Sequence, residues 1–147
     1  MAKKNKKIIK IPLEIIEMDG DGYHLLVQCK INKLKNCNLV IDTGASKTVF
    51  DKSTLFDSVE ILENDEELKS AGINADFMES YFCNIKSFTI MDFKVKNFQS
   101  VLIDLSNINE LYQNTINKRL TGLIGGDFLM EYNAVIDYKK KTLKLCY

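Results

Sequence analysis

Apolar residues at every second position, in short runs broken by turn formers, commit this chain to a β-rich fold. Ile9, Ile11, Leu13 and Ile15 fall on alternate positions, and Tyr23, Leu25, Val27, Cys29 and Ile31 do the same. A strand turns successive side chains to opposite faces, so each run offers one face to a core and one to water. Between the runs, Asp19-Gly20-Asp21-Gly22 is dense in turn residues and predicts a hairpin. It lacks the later ligands and the closing Glu of a calcium loop.

Further along, Asn32 to Asn38 reads as a polar connection, and Leu39-Val40-Ile41 as a short buried strand running into Asp42-Thr43-Gly44-Ala45-Ser46. Val59 to Leu62 is a further strand, and Leu68 to Phe82, with Gly72 amid polar residues, reads as a projecting hairpin. Strand character returns through Ile85, Phe88 and Ile90, then through Val101, Ile103 and Leu105. Ser106 is placed to cap a helix carrying Ile108, Leu111, Tyr112 and Ile116, and Asp127 to cap a shorter one from Phe128 to Tyr132. Ala134 to Tyr138 and Thr142 to Tyr147 form a closing hairpin. Many short strands with one or two short helices, in a chain of 147 residues, predict a single, mostly β, barrel-like domain.

Twenty basic and twenty acidic residues cancel, which removes any global electrostatic pull toward nucleic acid or anionic lipid. Lys3, Lys4, Lys6, Lys7 and Lys10 crowd the start without interleaved aromatics for base stacking, so they read as a solvated tail. Glu60, Glu63, Asp65, Glu66 and Glu67 read as an exposed acidic loop. No run of 18 apolar residues and no signal-peptide pattern occurs, which points to the cytoplasm. Cys29, Cys37, Cys83 and Cys146 are scattered, with no C-x-x-C pair and a single histidine, His24; reduced thiols on strands are expected, with no metal and no cofactor.

Asp42-Thr43-Gly44 carries the sharpest chemical suggestion: a carboxylate at the end of a buried strand, on a glycine turn. Gly44-Ala45-Ser46-Lys47-Thr48 is not a phosphate-binding loop, because Ser46 and Ile41 stand where its glycines belong. A phosphate-accepting aspartate would want a second Asp at position 44, and a Ser or Cys nucleophile would have only His24 as base. His24 itself falls on the polar alternation of its strand and reads as a surface residue.

In these residues the chain resembles the retropepsin-like aspartic proteases: the retroviral enzymes, their DNA-damage-inducible eukaryotic relatives and the bacterial single-domain members. The resemblance runs from about Ile11 to Leu145, through the opening hairpin, D-T-G-A-S at 42–46, a flap-like hairpin around Gly72 and Ile73, and the Leu123-Ile124-Gly125 strand. Gly126-Asp127-Phe128-Leu129 and Ala134-Val135-Ile136-Asp137-Tyr138 look most like the cellular and bacterial branch. It implies a lysine-rich flexible N-terminus over 1–10 and a retropepsin-like closed β-barrel over 11–147, functional as a homodimer. Asp42 would be the catalytic aspartate, Thr43 part of a paired threonine lock, Gly44 and Ala45 loop supports, and Ile124 and Gly125 a substrate wall.

Peptide hydrolysis by this route needs two carboxylates around one water, and no second D-T-G or D-S-G exists, so one Asp42 from each of two chains is required. The implied partners are a second copy and a peptide or protein substrate. The alternative is a non-cleaving dimeric binding or scaffolding module on the same fold, and beyond it a D-T-G that merely turns an unrelated β domain. The sequence departs from the retroviral pattern, which has Arg after the glycine matched to Gly125 and an acidic residue after D-T-G-A. Here Gly126 and Ser46-Lys47 stand there, and Ser106 to Lys118 is an insertion.

Overall fold

The computed structural model describes residues 5–18, 20, 22–63 and 80–147. Gly72, Ile73 and most of the expected flap, together with Asp19, Asp21 and much of the acidic run, lie outside the described residues. The strands are β1 (Ile8–Pro12), β2 (Glu14–Met18), β3 (Gly22–Ile31), β4 (Leu34–Ile41), β5 (Val49–Asp51), β6 (Glu60–Glu63), β7 (Tyr81–Ile90), β8 (Phe93–Ile103), β9 (Leu120–Ile124), β10 (Val135–Asp137) and β11 (Thr142–Cys146). Among the described residues, three short α-helices join them, α1 (Lys52–Leu55), α2 (Ser106–Ile116) and α3 (Gly126–Glu131), with a 3-10 turn at Phe56–Ser58.

Six strands close on themselves. The sheet order β2-β3-β4-β9-β5-β8-β7-β6, with β3 also paired to β7, makes a ring of β3, β4, β9, β5, β8 and β7. Most neighbours are antiparallel, but β4 lies parallel to β9 and β5 parallel to β8. A second, three-stranded sheet has the order β1-β11-β10 and joins the first strand to the last. Lys7 and Tyr147 exchange both backbone hydrogen bonds, at 2.7 and 2.9 Å, which extends the pairing of β1 with β11 by one residue at that end.

The opening alternation hides a change of sheet. Ile9 and Ile11 belong to β1, which pairs with β11, while β2 makes the expected hairpin with β3. Leu13 is the corner between them, its N–H donating to Lys141 O at 2.8 Å. Beyond the corner Ile15 still packs against the barrel core, half-buried, while Ile16 and Met18 are buried on the opposite face beneath α2. The polar stretch 32–38 is not a loop either: Asn32 and Lys33 make the turn, and Leu34 to Asn38 already lie in β4. Asn32 takes the left-handed conformation there, at φ 51°, which asparagine tolerates well.

The barrel is filled mainly by aliphatic residues and a knot of rings. Phe88 stacks edge-on against Phe50 and Phe128, each at 5.8 Å between centroids, and Phe128 of α3 plugs one mouth of the barrel. A smaller cluster of Ile16, Met18, Leu26, Tyr112 and Leu120 holds α2 to the outside of β2 and β3. Asn109 fastens the same helix to β9, its amide donating to Leu120 O at 3.1 Å and accepting from Leu120 N at 2.6 Å. Asn117, left-handed at φ 52°, then ends it. Ser106 is the first residue of α2 and makes no side-chain cap; Asp104 instead accepts its N–H at 2.8 Å.

Asp51 is wholly buried at the β5–α1 junction. Its carboxylate accepts from Ser53 Oγ and Thr54 Oγ1, both at 2.7 Å, from Arg119 at 3.1 Å and from Leu105 N at 3.3 Å. Burial alone would raise its pKa, but the Thr54, Ser53, Arg119 and Leu105 hydrogen bonds outweigh it and hold the group below its ordinary 3.8. A depressed carboxylate pKa stabilises the fold above the unfolded-state value, and that stability is lost as pH falls through the folded-state value. Asp51→Asn should therefore be less stable than wild type at neutral pH, with the gap narrowing below 3.8. Urea unfolding at a series of pH values checks this; a gap that stays constant would rule out the ionised form as the source.

Candidate active site

The D-T-G loop is placed by the parallel pair. β4 and β9 end side by side at Ile41 and Ile124, and Asp42 N continues the ladder to Ile124 O at 2.9 Å. The loop then turns on itself, with Ala45 N donating to Asp42 O at 3.2 Å and Gly44 N donating to the Asp42 carboxylate at 3.0 Å. A Cβ at Gly44 would lie 3.3 Å from Oδ1 of Asp42, close enough to press on that carboxylate. The Asp42 side chain is exposed at this edge.

Residues 45–47 then cross directly over the start of α3. Gly126 N donates to Ala45 O at 2.7 Å and Asp127 N to Ser46 O at 3.2 Å. Gly125 lies beneath the crossing, where a Cβ would come within 2.6 Å of the Lys47 carbonyl. That approach, rather than a special φ, is why glycine stands there.

Below the loop sits a network that sequence reasoning missed. Buried Thr48 donates from N and Oγ1 to Asp127 Oδ1, at 2.8 and 2.7 Å, while its Oγ1 accepts from Gly125 N at 3.0 Å. Thr48 O in turn accepts from Ser100 Oγ at 2.8 Å, which ties the loop to β8. Asp127, expected to cap the short helix, instead lies within its first turn and bridges helix to loop; Gly125 holds the cap position. The donor of this bridge is on the loop and its acceptor on the helix.

A cavity of about 520 Å³ opens beside Asp42 and Thr43. Val40 and Leu123 line it from the barrel, Ile108, Leu111 and Tyr112 from α2, and Tyr23, His24 and Tyr138 from its rim. His24 is half-buried there, with its Nδ1 2.6 Å from the Tyr112 hydroxyl. Of the residues expected at a substrate wall, Ile124 is fully buried in the barrel core and Gly125 is covered by the loop; Leu120 and Leu123 are the β9 residues that line the cavity. Thr43 is exposed at the cavity lip, and Ala45 acts in the loop through its carbonyl. Among the described residues no group of His, Cys, Asp and Glu is arranged to hold a metal ion, and no helix is long and apolar enough to cross a membrane.

Among solved structures, the chain is similar to a retropepsin-like aspartic protease from Rickettsia conorii, with 20% identity over 100% of this chain and 98% of that one, at a TM-score of 0.49. It is also similar to the retroviral protease-like domain of Ddi1 from Leishmania major, with 19% identity over 83% of this chain and 87% of that one, at a TM-score of 0.54. At such identity the second likeness bears on fold, and it agrees with the closed six-stranded ring as a retropepsin-like barrel. No curated protein matches the sequence. The aspartyl protease family model matches residues 27–128, a stretch that includes β4, the D-T-G loop, β9 and the Thr48–Asp127 bridge, and the chain belongs to that family.

Proposed function

We propose that this chain is an aspartic endopeptidase whose active site is completed by a second copy, each subunit giving one Asp42. The observation that carries the reading is an exposed Asp42 on an intact, doubly anchored D-T-G loop, present once per chain, at the edge of an apolar cavity. Two carboxylates brought together across a two-fold axis hold one proton between them. One takes a proton from the attacking water; the other polarises the scissile carbonyl and then protonates the leaving amine. In this arrangement Thr43 lies near the two-fold axis, and Val40, Leu123, Ile108 and Leu111 receive apolar side chains flanking the cleaved bond.

Subunit mixing tests the shared site. Wild type is mixed with Asp42→Asn, allowed to exchange, and assayed on a peptide found by library digestion. If heterodimers are dead, equal amounts should leave about half of the wild-type activity and a threefold excess of variant about a quarter, by random pairing. Activity untouched by added variant, or a fully active monomer in sedimentation, would refute the two-chain site.

A further inference from the structure

We propose that Cys29 and Cys37 form a reversible redox-modification site, a dithiol that hydrogen peroxide closes into a cross-strand disulfide between β3 and β4. All four cysteines are free thiols. Cys29 and Cys37 differ from the others in standing directly opposite one another in an antiparallel register; Cys83 faces Ser100 and Cys146 faces Ile8. Opposed residues in such a pair have Cα atoms about 4.5–5.5 Å apart, inside the roughly 4.4–6.8 Å that a disulfide spans. Their Cβ atoms sit about 4.5–5.5 Å apart, at the long edge of the bond's usual reach, so closure must draw the strands together slightly. The backbone has room to adjust, because the β3–β4 register is already irregular between Cys29 and Ile31. A bond closed under such tension is more readily reduced, which makes the modification reversible.

The two thiols are also unlike each other. The neighbouring Cys29 thiol, with lesser help from Thr121 and the Ile31 backbone, brings Cys37 down to about 7 against the opposing effect of burial, and the Cys37 Sγ lies 3.8 Å from Leu34 O. The Cys37 thiol, and burial, in turn hold the Cys29 thiol far above its ordinary value. Cys37 is thus the thiolate nucleophile and Cys29 the proton-bearing resolving thiol. In the first step the Cys37 sulfur attacks one peroxide oxygen; an S–O bond forms, the O–O bond breaks, and hydroxide leaves, giving the sulfenic acid. In the second step the Cys29 sulfur attacks the Cys37 sulfur; an S–S bond forms, the S–O bond breaks, and hydroxide leaves with the Cys29 proton as water. The dithiol loses two electrons and peroxide is reduced to water. Both side chains are at most 5% exposed, which favours an oxidant of peroxide's size over a bulky disulfide. The link would fasten the strand that carries Asp42 five residues beyond Cys37.

The test treats the native wild-type protein with hydrogen peroxide near neutral pH, quenches it, alkylates remaining thiols and maps the peptides without reduction. The expected result is a linked pair holding Cys29 and Cys37, lighter by about 2 Da than its two thiol peptides, restored by dithiothreitol. Cys83 and Cys146 should still be alkylated at that point. Cys37 carried singly to sulfinic acid without a link, or Cys146 consumed while Cys29 and Cys37 remain alkylatable, would overturn the proposal. Cys37→Ser should abolish the link and leave Cys29 a thiol. The wild-type map decides the matter even if that variant folds poorly.

Discussion

Asp42→Asn is expected to lower kcat/KM by about a thousandfold or more while the barrel stays folded. The amide can neither take a proton from water nor hold one for the leaving amine, so both halves of the acid–base cycle fail at once. The structural role survives: the Asn carbonyl can still accept from Gly44 N, which lies 3.0 Å from Oδ1. The side chain is exposed, so no core contact changes, and stability should stay within about 0.5 kcal/mol of wild type. Paired measurements of peptide cleavage and urea unfolding check both halves. Cleavage at the wild-type rate would remove Asp42 from the chemistry, and a large loss of stability would mean that the fold, rather than the reaction, had been damaged.

Thr48→Val is expected to be the most damaging near-isosteric change in the loop, costing about 2–4 kcal/mol of stability. Valine keeps the shape but removes a hydroxyl that donates to Asp127 and accepts from Gly125 N. The buried Gly125 N–H then loses that acceptor and the Asp127 carboxylate one of its donors. Because the same loop carries Asp42, activity should fall with stability. Thr48→Ser, which retains the hydroxyl, should recover most of both. Urea unfolding of the three proteins is the measurement, and a valine variant as stable as wild type would show that the bridge does not hold the loop. A double-mutant cycle with Asp127→Asn would then isolate the coupling between the two side chains.

What could be read from the sequence was whatever depends on neighbours along the chain. The buried alternation from Leu25 to Ile31, the D-T-G turn and the helix through Tyr112 each follow from local periodicity or turn chemistry, and each is present, although Tyr23 at the head of the run is exposed. The change of sheet at Leu13 was hidden because Ile9, Ile11, Leu13 and Ile15 keep perfect alternation across a corner. The start of β4 was hidden because Lys35, Asn36 and Asn38 are polar, although Leu34 and Cys37 are already paired with β3. Thr48 and Asp127 are 79 residues apart, and nothing local to either reports the other. The signal that could have found them was the empty place of the retroviral arginine, which leaves a loop and a helix in need of some other tie. His24 was misjudged for a similar reason: the helix that half-covers it comes from the Ser106–Lys118 insertion, far along the chain.

The pairing of β1 with β11 has a consequence for how the protein is made. Ile8 lies opposite Cys146, so this sheet closes a loop spanning almost the whole chain. Contacts of such sequence separation are the slowest to form, since chain entropy must be surrendered before any of them is rewarded. β1 is made before the other described strands, and its hydrogen-bonding groups stay unpaired until β11 has been made. The six-stranded ring is complete by Ile124 and can assemble beforehand. The β1–β11 sheet therefore closes after the ring, and Ile8, Ile9 and Ile11 are the residues a chaperone would find exposed in the interval.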